Sequence, residues 1–170
     1  MWSRSLPITA LVAVALACLF GCKPDEGSRR PHKAFHDGGD PPMVRYEGEE
    51  VFWQGEWLAD GPVTYFDRTG RVTGKGQFKL GKEEGPWSLL EEGGYLAEGE
   101  FKEGKREGQW MYRYSSGKIQ EEGSYTAGKR VGEWRTYYSN GNLRSVTQYV
   151  DGEAQPGAET YDADGVKHTR

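Results

Sequence analysis

Large and small residues alternate in the same order in four stretches of this chain. On one face of each, large residues stand at both ends with smaller ones between. The stretches are Val72-Gly74-Gly76-Phe78, Tyr95-Ala97-Gly99-Phe101, Ile119-Glu121-Gly123-Tyr125 and Leu143-Ser145-Thr147-Tyr149. A period of two predicts β-strands. A second kind of strand precedes each one. In the clearest example Trp110, Tyr112 and Tyr114 share a face while Met111 and Arg113 take the other. The pattern predicts antiparallel hairpins joined in a meander.

The strands belong to a repeat of about 24 residues. Gly85-Pro-Trp87, Gly108-Gln-Trp110 and Gly132-Glu-Trp134 recur at intervals of 23 and 24. A glycine follows each (Gly93, Gly117, Gly141), then an aromatic (Phe101, Tyr125, Tyr149), then Gly104, Gly128 and Gly152. Gly70 and Gly165 extend the first series, and Phe78 extends the aromatic one. Asn140-Gly141 and Asp164-Gly165 carry turn chemistry that needs positive φ. The shorter unit is expected to lose its residue between Trp87 and Gly93, which keeps the later alternation in phase. Such periods mean an array whose units bury their apolar faces on each other. The fold expected is all-β, an open meander of repeated hairpins in a single elongated sheet. With little Leu or Ile, the rings must form the core. Each buries about 150–250 Å², worth roughly 4–6 kcal/mol gross. Glycines between them let rings lie on backbone.

Composition agrees. Glycine supplies 25 of 170 residues and the net charge is −4. That mild acidity argues against nucleic acid as a ligand, since a basic footprint is needed. Cys18 and Cys22 both precede the repeats, so the folded part has no disulfide framework and no thiolate metal site.

The N-terminus reads as an address. Leu6 to Phe20 is an apolar run of about 15 residues, too short to span a bilayer and suited to a signal-peptide core. Leu19-Phe20-Gly21-Cys22 resembles the bacterial lipobox, with Phe20 bulkier than usual; Ala15-Leu16-Ala17-Cys18 is a weaker match. The resemblance implies a lipoprotein signal peptide over 1–21 and lipidation at Cys22, the only route to a membrane. Residues 22–43, rich in Pro, Gly and mixed charge, are expected to be a disordered tether with an end-to-end distance of about 25 Å. The repeat domain is expected over 44–170. By the same resemblance, Lys23 after the acceptor favours the outer membrane, with the protein facing the periplasm or cell surface.

Candidate chemistry is sparse. His32, His36 and His168 lie in the tether and the tail; a metal site or acid–base pair built from them would need disordered segments to fold together, and they read as solvated residues. The doublets Glu83-Glu84, Glu91-Glu92 and Glu121-Glu122 recur with the repeat and read as a solvated face. Asp162-Ala-Asp164-Gly165 lacks most ligands of a calcium loop and reads as a turn. Lys105-Arg106 and Lys129-Arg130 recur in the inter-repeat turns with Lys82 at the same place. Those five residues are the candidate binding stripe. Exposed Trp or Tyr would instead favour a glycan.

The array resembles the bacterial MORN repeat, Gly-x-Trp-x-x-Tyr, then Asn-Gly, then Gly-x-Tyr-x-x-Gly-Lys-x-x-Gly. Gly132-Glu-Trp134-Arg-Thr-Tyr137-Tyr138-Ser-Asn-Gly141 matches best, and Gly99-Glu-Phe101-Lys-Glu-Gly104-Lys105-Arg-Glu-Gly108 nearly as well. The departures are Gly61-Pro-Val63 without Trp, Thr147 for Gly and Glu153 for Lys. The chain looks most like the YwqK-type proteins, described as antitoxins or immunity proteins. The resemblance implies a non-enzymatic scaffold or binding protein of the cell envelope, without cofactor, taking a protein partner; a glycan such as peptidoglycan is the alternative.

Overall fold

The computed structural model describes residues 24–35 and 44–168. The described residues form one open antiparallel sheet. Its strands are β1 (Arg29–Phe35), β2 (Val44–Trp53), β3 (Glu56–Phe66), β4 (Val72–Lys79), β5 (Lys82–Leu90), β6 (Leu96–Lys102) and β7 (Lys105–Arg113). They continue with β8 (Ile119–Thr126), β9 (Lys129–Tyr137), β10 (Leu143–Val150), β11 (Glu153–Ala154), β12 (Glu159–Tyr161) and β13 (Lys167–His168). Each strand from β1 to β10 lies beside its neighbour in sequence; β10 then pairs with both β11 and β12, and β13 closes the order. The all-β meander expected from the alternation is the fold observed.

Two kinds of turn alternate along the sheet. At one edge the loops are three residues long. Tyr114 donates its N–H to the Lys118 carbonyl and Gly117 donates to Tyr114, at 2.9 and 2.8 Å. At the other edge the turns have only two residues, both with positive φ, as in Glu103 (50°) and Gly104 (79°). This is the turn whose twist matches a right-handed hairpin. The same form recurs at Gln54-Gly55, Leu80-Gly81, Ala127-Gly128 and Asp151-Gly152.

A single-layer sheet has no second layer to cover its apolar side. Here the rings cover each other and the backbone. The indoles of Trp87, Trp110 and Trp134 lie over Gly76, Gly99 and Gly123 so closely that an added Cβ would sit 2.1, 2.3 and 2.2 Å from ring carbon Cδ2. Each Trp strand also carries a bulge opposite that glycine, for instance where the β6–β7 register shifts between Glu98 and Glu100. Edge-to-face contacts then run Phe78–Trp87–Phe101–Trp110–Tyr125–Trp134–Tyr149, with centroids 5.0–6.2 Å apart. Trp110 and Trp134 are each only 1% exposed. Each donates its indole N–H at 3.1 Å to a backbone carbonyl, of Glu100 and Ser124 respectively.

Two expectations are corrected. The tether does not run unbroken over 22–43, because Arg29–Phe35 forms β1 and pairs along β2. Its residues alternate in burial as the edge of a sheet does. The Arg30 guanidinium lies 4.1 Å from the Trp57 ring centroid and pairs with Glu50 at 2.8 Å, and the His32 ring stacks on Tyr46 at 5.3 Å. Long polar side chains do the covering here, so no apolar alternation betrays the strand. Pro31 is tolerated because an edge strand needs only one side of its ladder.

The second correction concerns the 23-residue unit. Gly94, not Gly93, makes the turn hydrogen bond equivalent to that of Gly117, donating to Glu91 at 3.1 Å. Leu96 therefore takes the place of Val72, Ile119 and Leu143, rather than Tyr95. The lost residue lies after the turn. The other hairpins shift register at that point, between Tyr65/Phe66, Tyr112/Arg113 and Leu143/Ser145, whereas β5 and β6 pair without interruption. The deletion removes a bulge residue, so alternation survives for a different reason. Residues 1–23, with the lipobox, lie outside the described residues.

Gly99→Ala should destabilise the domain by about 3 kcal/mol through overpacking, and Trp110→Ala by about 3–5 kcal/mol. In the double variant the alanine at 99 should add almost nothing, because its clashing partner is gone. Denaturant midpoints of the three variants check this; additive losses would show that ring and glycine are not in contact.

Candidate functional site

The two-residue turns stack into a ladder. A left-handed non-glycine residue costs free energy and leaves its N–H facing outward, and the neighbouring repeat supplies the support. Leu80, Glu103 and Ala127 donate their N–H groups to the carboxylates of Asp60, Glu84 and Glu107, at 2.9, 3.0 and 2.8 Å. Gln54 does the same to Glu26 at 2.9 Å. The next residue of each turn bonds to backbone one repeat earlier: Gly104, Gly128 and Gly152 donate to the carbonyls of Glu83, Arg106 and Arg130 at 2.9 Å. The acid is missing only at the last turn, where Val131 precedes Gly132.

This ladder decides where the basic residues go. Lys82, Lys105 and Lys129 open β5, β7 and β9 and are exposed. The stems of Lys105 and Lys129 lie against the glycine of the next turn, Gly128 and Gly152, with the glycine's Cβ position 3.7 Å from the lysine Cβ. Lys79 and Lys102, at the ends of β4 and β6, add two more exposed ammonium groups. Equivalent positions recur every second strand, about 9.5 Å apart. Lys129 has Asp151 at 3.9 Å; Lys79, Lys82, Lys102 and Lys105 make no ion pair among the described residues. Glu84 and Glu107, two residues on from Lys82 and Lys105, hold turn N–H groups instead.

Arg106 and Arg130 part from the lysines. Successive residues of a strand face opposite ways, and these two turn to the ring face. The Arg130 guanidinium lies 4.0 Å from the Trp134 centroid and is held by both oxygens of Glu121 at 2.6 and 2.9 Å. That of Arg106 lies 4.5 Å from Trp110 and pairs with Glu91. Each indole is thus enclosed between a glycine and a guanidinium, a cation–π contact with little water around it. The Arg130 charge is held well above the ordinary range by the Glu121 carboxylate, against the opposing effect of its own burial. The structure brings the three lysines together as a rim and lays the two arginines, half-buried, over the ring face. Glu83 stands where these arginines would, so Trp87 has no guanidinium over it, and its indole N–H has no partner.

The carboxylate doublets are only in part a solvated face: Glu84, Glu91, Glu121 and Glu122 each hold a neighbour, while Glu92 is exposed. Glu122 accepts the Tyr137 hydroxyl at 2.7 Å. The opposite face bears an open groove of about 730 Å³ across β4–β7, bordered by Pro62, Pro86, Met111, Lys75 and Arg113. Rings do not present flat faces to solvent along the repeat, since Trp87, Trp110 and Trp134 are buried. Among the described residues the exposed large aromatics are Trp53, at 40%, and Phe35. Trp53, Leu80, Lys79 and Lys102 were missed in the sequence because the repeat was aligned on its other turns; the signal was Lys-X-Gly-Lys, at 79–82 and 102–105.

A single sheet of stacked hairpins, with capped turns on one edge and no enclosed cleft, defines a β-hairpin repeat protein that works as a surface. Residues 106–127 and 130–151 match the family model of the MORN repeat variant. These two adjacent repeats are the ones whose Trp is enclosed by Gly and Arg. No curated protein matches the chain. Repeats of this kind suggest a non-catalytic binding or scaffold role.

Burial, then the bond to Glu122, pushes the Tyr137 hydroxyl up from its ordinary 10.0 to about 12. Tyr112 moves further in the same direction through burial and its 3.0 Å hydrogen bond with Tyr125. The folded state holds these protons more tightly than the unfolded one. The stabilisation from Tyr137 is complete below pH 10 and disappears as pH rises through about 12, and that from Tyr112 is lost at higher pH still. Denaturant midpoints should fall over that window, and Tyr137→Phe should make the fall shallower; a flat profile would refute it.

Proposed function

We propose that this protein is a non-catalytic, lipid-anchored binding module of the bacterial cell envelope, and that it holds a protein partner on its lysine rim. The observation that carries this reading is the regular row of exposed ammonium groups left without ion pairs. Spaced charges on a rigid edge favour oriented encounter with an acidic partner surface. The buried rings weigh against the glycan alternative, which needs flat aromatic faces in water. Cys22 supplies the anchor in this reading, in the outer membrane, and several acyl chains hold firmly at about 0.8 kcal/mol per buried methylene. An immunity-like role, sequestering a toxin, is the form of binding that the YwqK-type resemblance favours.

Pull-down from envelope extract with a Cys22→Ser form should recover one stoichiometric protein. Lys82→Glu/Lys105→Glu/Lys129→Glu should lose it without a change in melting temperature. Recovery of wall fragments alone, or of the same protein by both forms, would overturn the reading. Radiolabelled palmitate should enter the wild type and not Cys22→Ser; equal labelling would place the lipid elsewhere or remove it.

A further inference from the structure

The lysine rim is not uniform along its length. At its N-terminal end the turns Trp53-Gln54-Gly55-Glu56 and Lys79-Leu80-Gly81-Lys82 stand side by side, and a groove of about 490 Å³ opens between them. Its apolar border is Val51, Trp53, Phe78 and Leu80. Trp53 and Leu80 are 40% and 38% exposed, so two large apolar side chains stand in water on neighbouring turns. Leu80 is fixed there with φ of 48°, its N–H tied to Asp60. Four unpaired lysines, Lys79, Lys82, Lys102 and Lys105, follow immediately along the edge. The acids that border the groove are engaged: Asp60 also pairs with Arg29, and Glu84 holds the Glu103 N–H. The carboxylates of Glu83 and Glu103, beside Lys82 and Lys102, make no ion pair among the described residues.

We propose that this stretch of the edge docks an extended acidic segment of the partner, with one large aromatic or aliphatic side chain seated between Trp53 and Leu80. The proposal rests on the protein-partner reading above and adds the chemistry of what binds. Three turns spaced about 9.5 Å apart span two intervals, roughly 20 Å, the length of about six extended residues. An apolar anchor in a rigid pocket gives affinity, while the lysines give orientation and rate. The C-terminal end of the rim is less suited, because Lys129 is offset by Asp151 and Glu153 replaces the next lysine.

The test uses the full-length protein and two fluorescent twelve-residue peptides of Asp and Glu, one with a central Phe and one with Ala in its place. The Phe peptide should bind at least tenfold more tightly, with affinity falling as salt rises. Trp53→Ala and Leu80→Ala should each abolish that tenfold preference with melting unchanged, while Lys82→Glu/Lys105→Glu should weaken both peptides. Equal binding of the two peptides would overturn the anchor and leave the basic edge standing. Failure of both while the envelope protein is still captured would overturn the acidic segment and leave the protein-partner reading standing. Binding of vesicles with 30% anionic lipid in place of either peptide would assign the edge to a membrane surface and overturn the proposal.

Discussion

An indole ring lying directly on bare backbone is the contact on which this sheet depends. A lone sheet has no second layer against which to bury an apolar face. Here Trp87, Trp110 and Trp134 lie down along the sheet instead of standing up from it, which is possible only where the neighbouring strand has no Cβ. The bulge beside each glycine bends the strand and makes room for the ring. Arg106 and Arg130 then cover the outer faces of Trp110 and Trp134, with Glu91 and Glu121 holding them in place. Glycine, ring, guanidinium and carboxylate form one stack, and it is renewed with each repeat.

The turns at the sheet's edge follow from the same economy of layers. Two-residue turns close the hairpins tightly but put residues such as Glu103 and Ala127 in a left-handed conformation. Their outward N–H groups would be left to water if the previous repeat did not present a carboxylate. Engaging Glu84 and Glu107 in this way removes the natural partners of the lysines beside them. The basic character of the edge is thus a by-product of how its backbone is satisfied. In a mildly acidic protein Lys79, Lys82, Lys102 and Lys105 stay without ion pairs while Glu84 and Glu107 are turned to backbone N–H groups.

The ends of the array show what happens when a part is missing. Val63 stands where Trp would, Thr147 replaces the glycine beside Trp134, and Ala158 occupies the place of a further Trp. The ring series accordingly stops at Tyr149, and β11 to β13 are short. At the other end polar side chains replace rings: Arg30 and His32 of β1 cover Trp57 and Tyr46. Both ends are closed by weaker versions of the interior stack, as terminal repeats commonly are.

The spacing of Gly and Trp was enough to read the strands, the meander and the ring core, because alternation and turn chemistry are local and recur along the chain. It was not enough to separate Gly93 from Gly94, since adjacent glycines satisfy the same turn rule and only the hydrogen bond of Gly94 to Glu91 distinguishes them. Nor did it reveal β1, whose cover is made of charged stems that look like a linker in composition. Lys105 and Arg106 are neighbours in sequence and alike in charge. Which one faces solvent depends on the pleat, and which charge is paired depends on Glu91, which follows the neighbouring strand β5. Local pattern determined the elements and the core; the pairing of charges across repeats, and with it the binding edge, was decided only when distant strands were brought side by side.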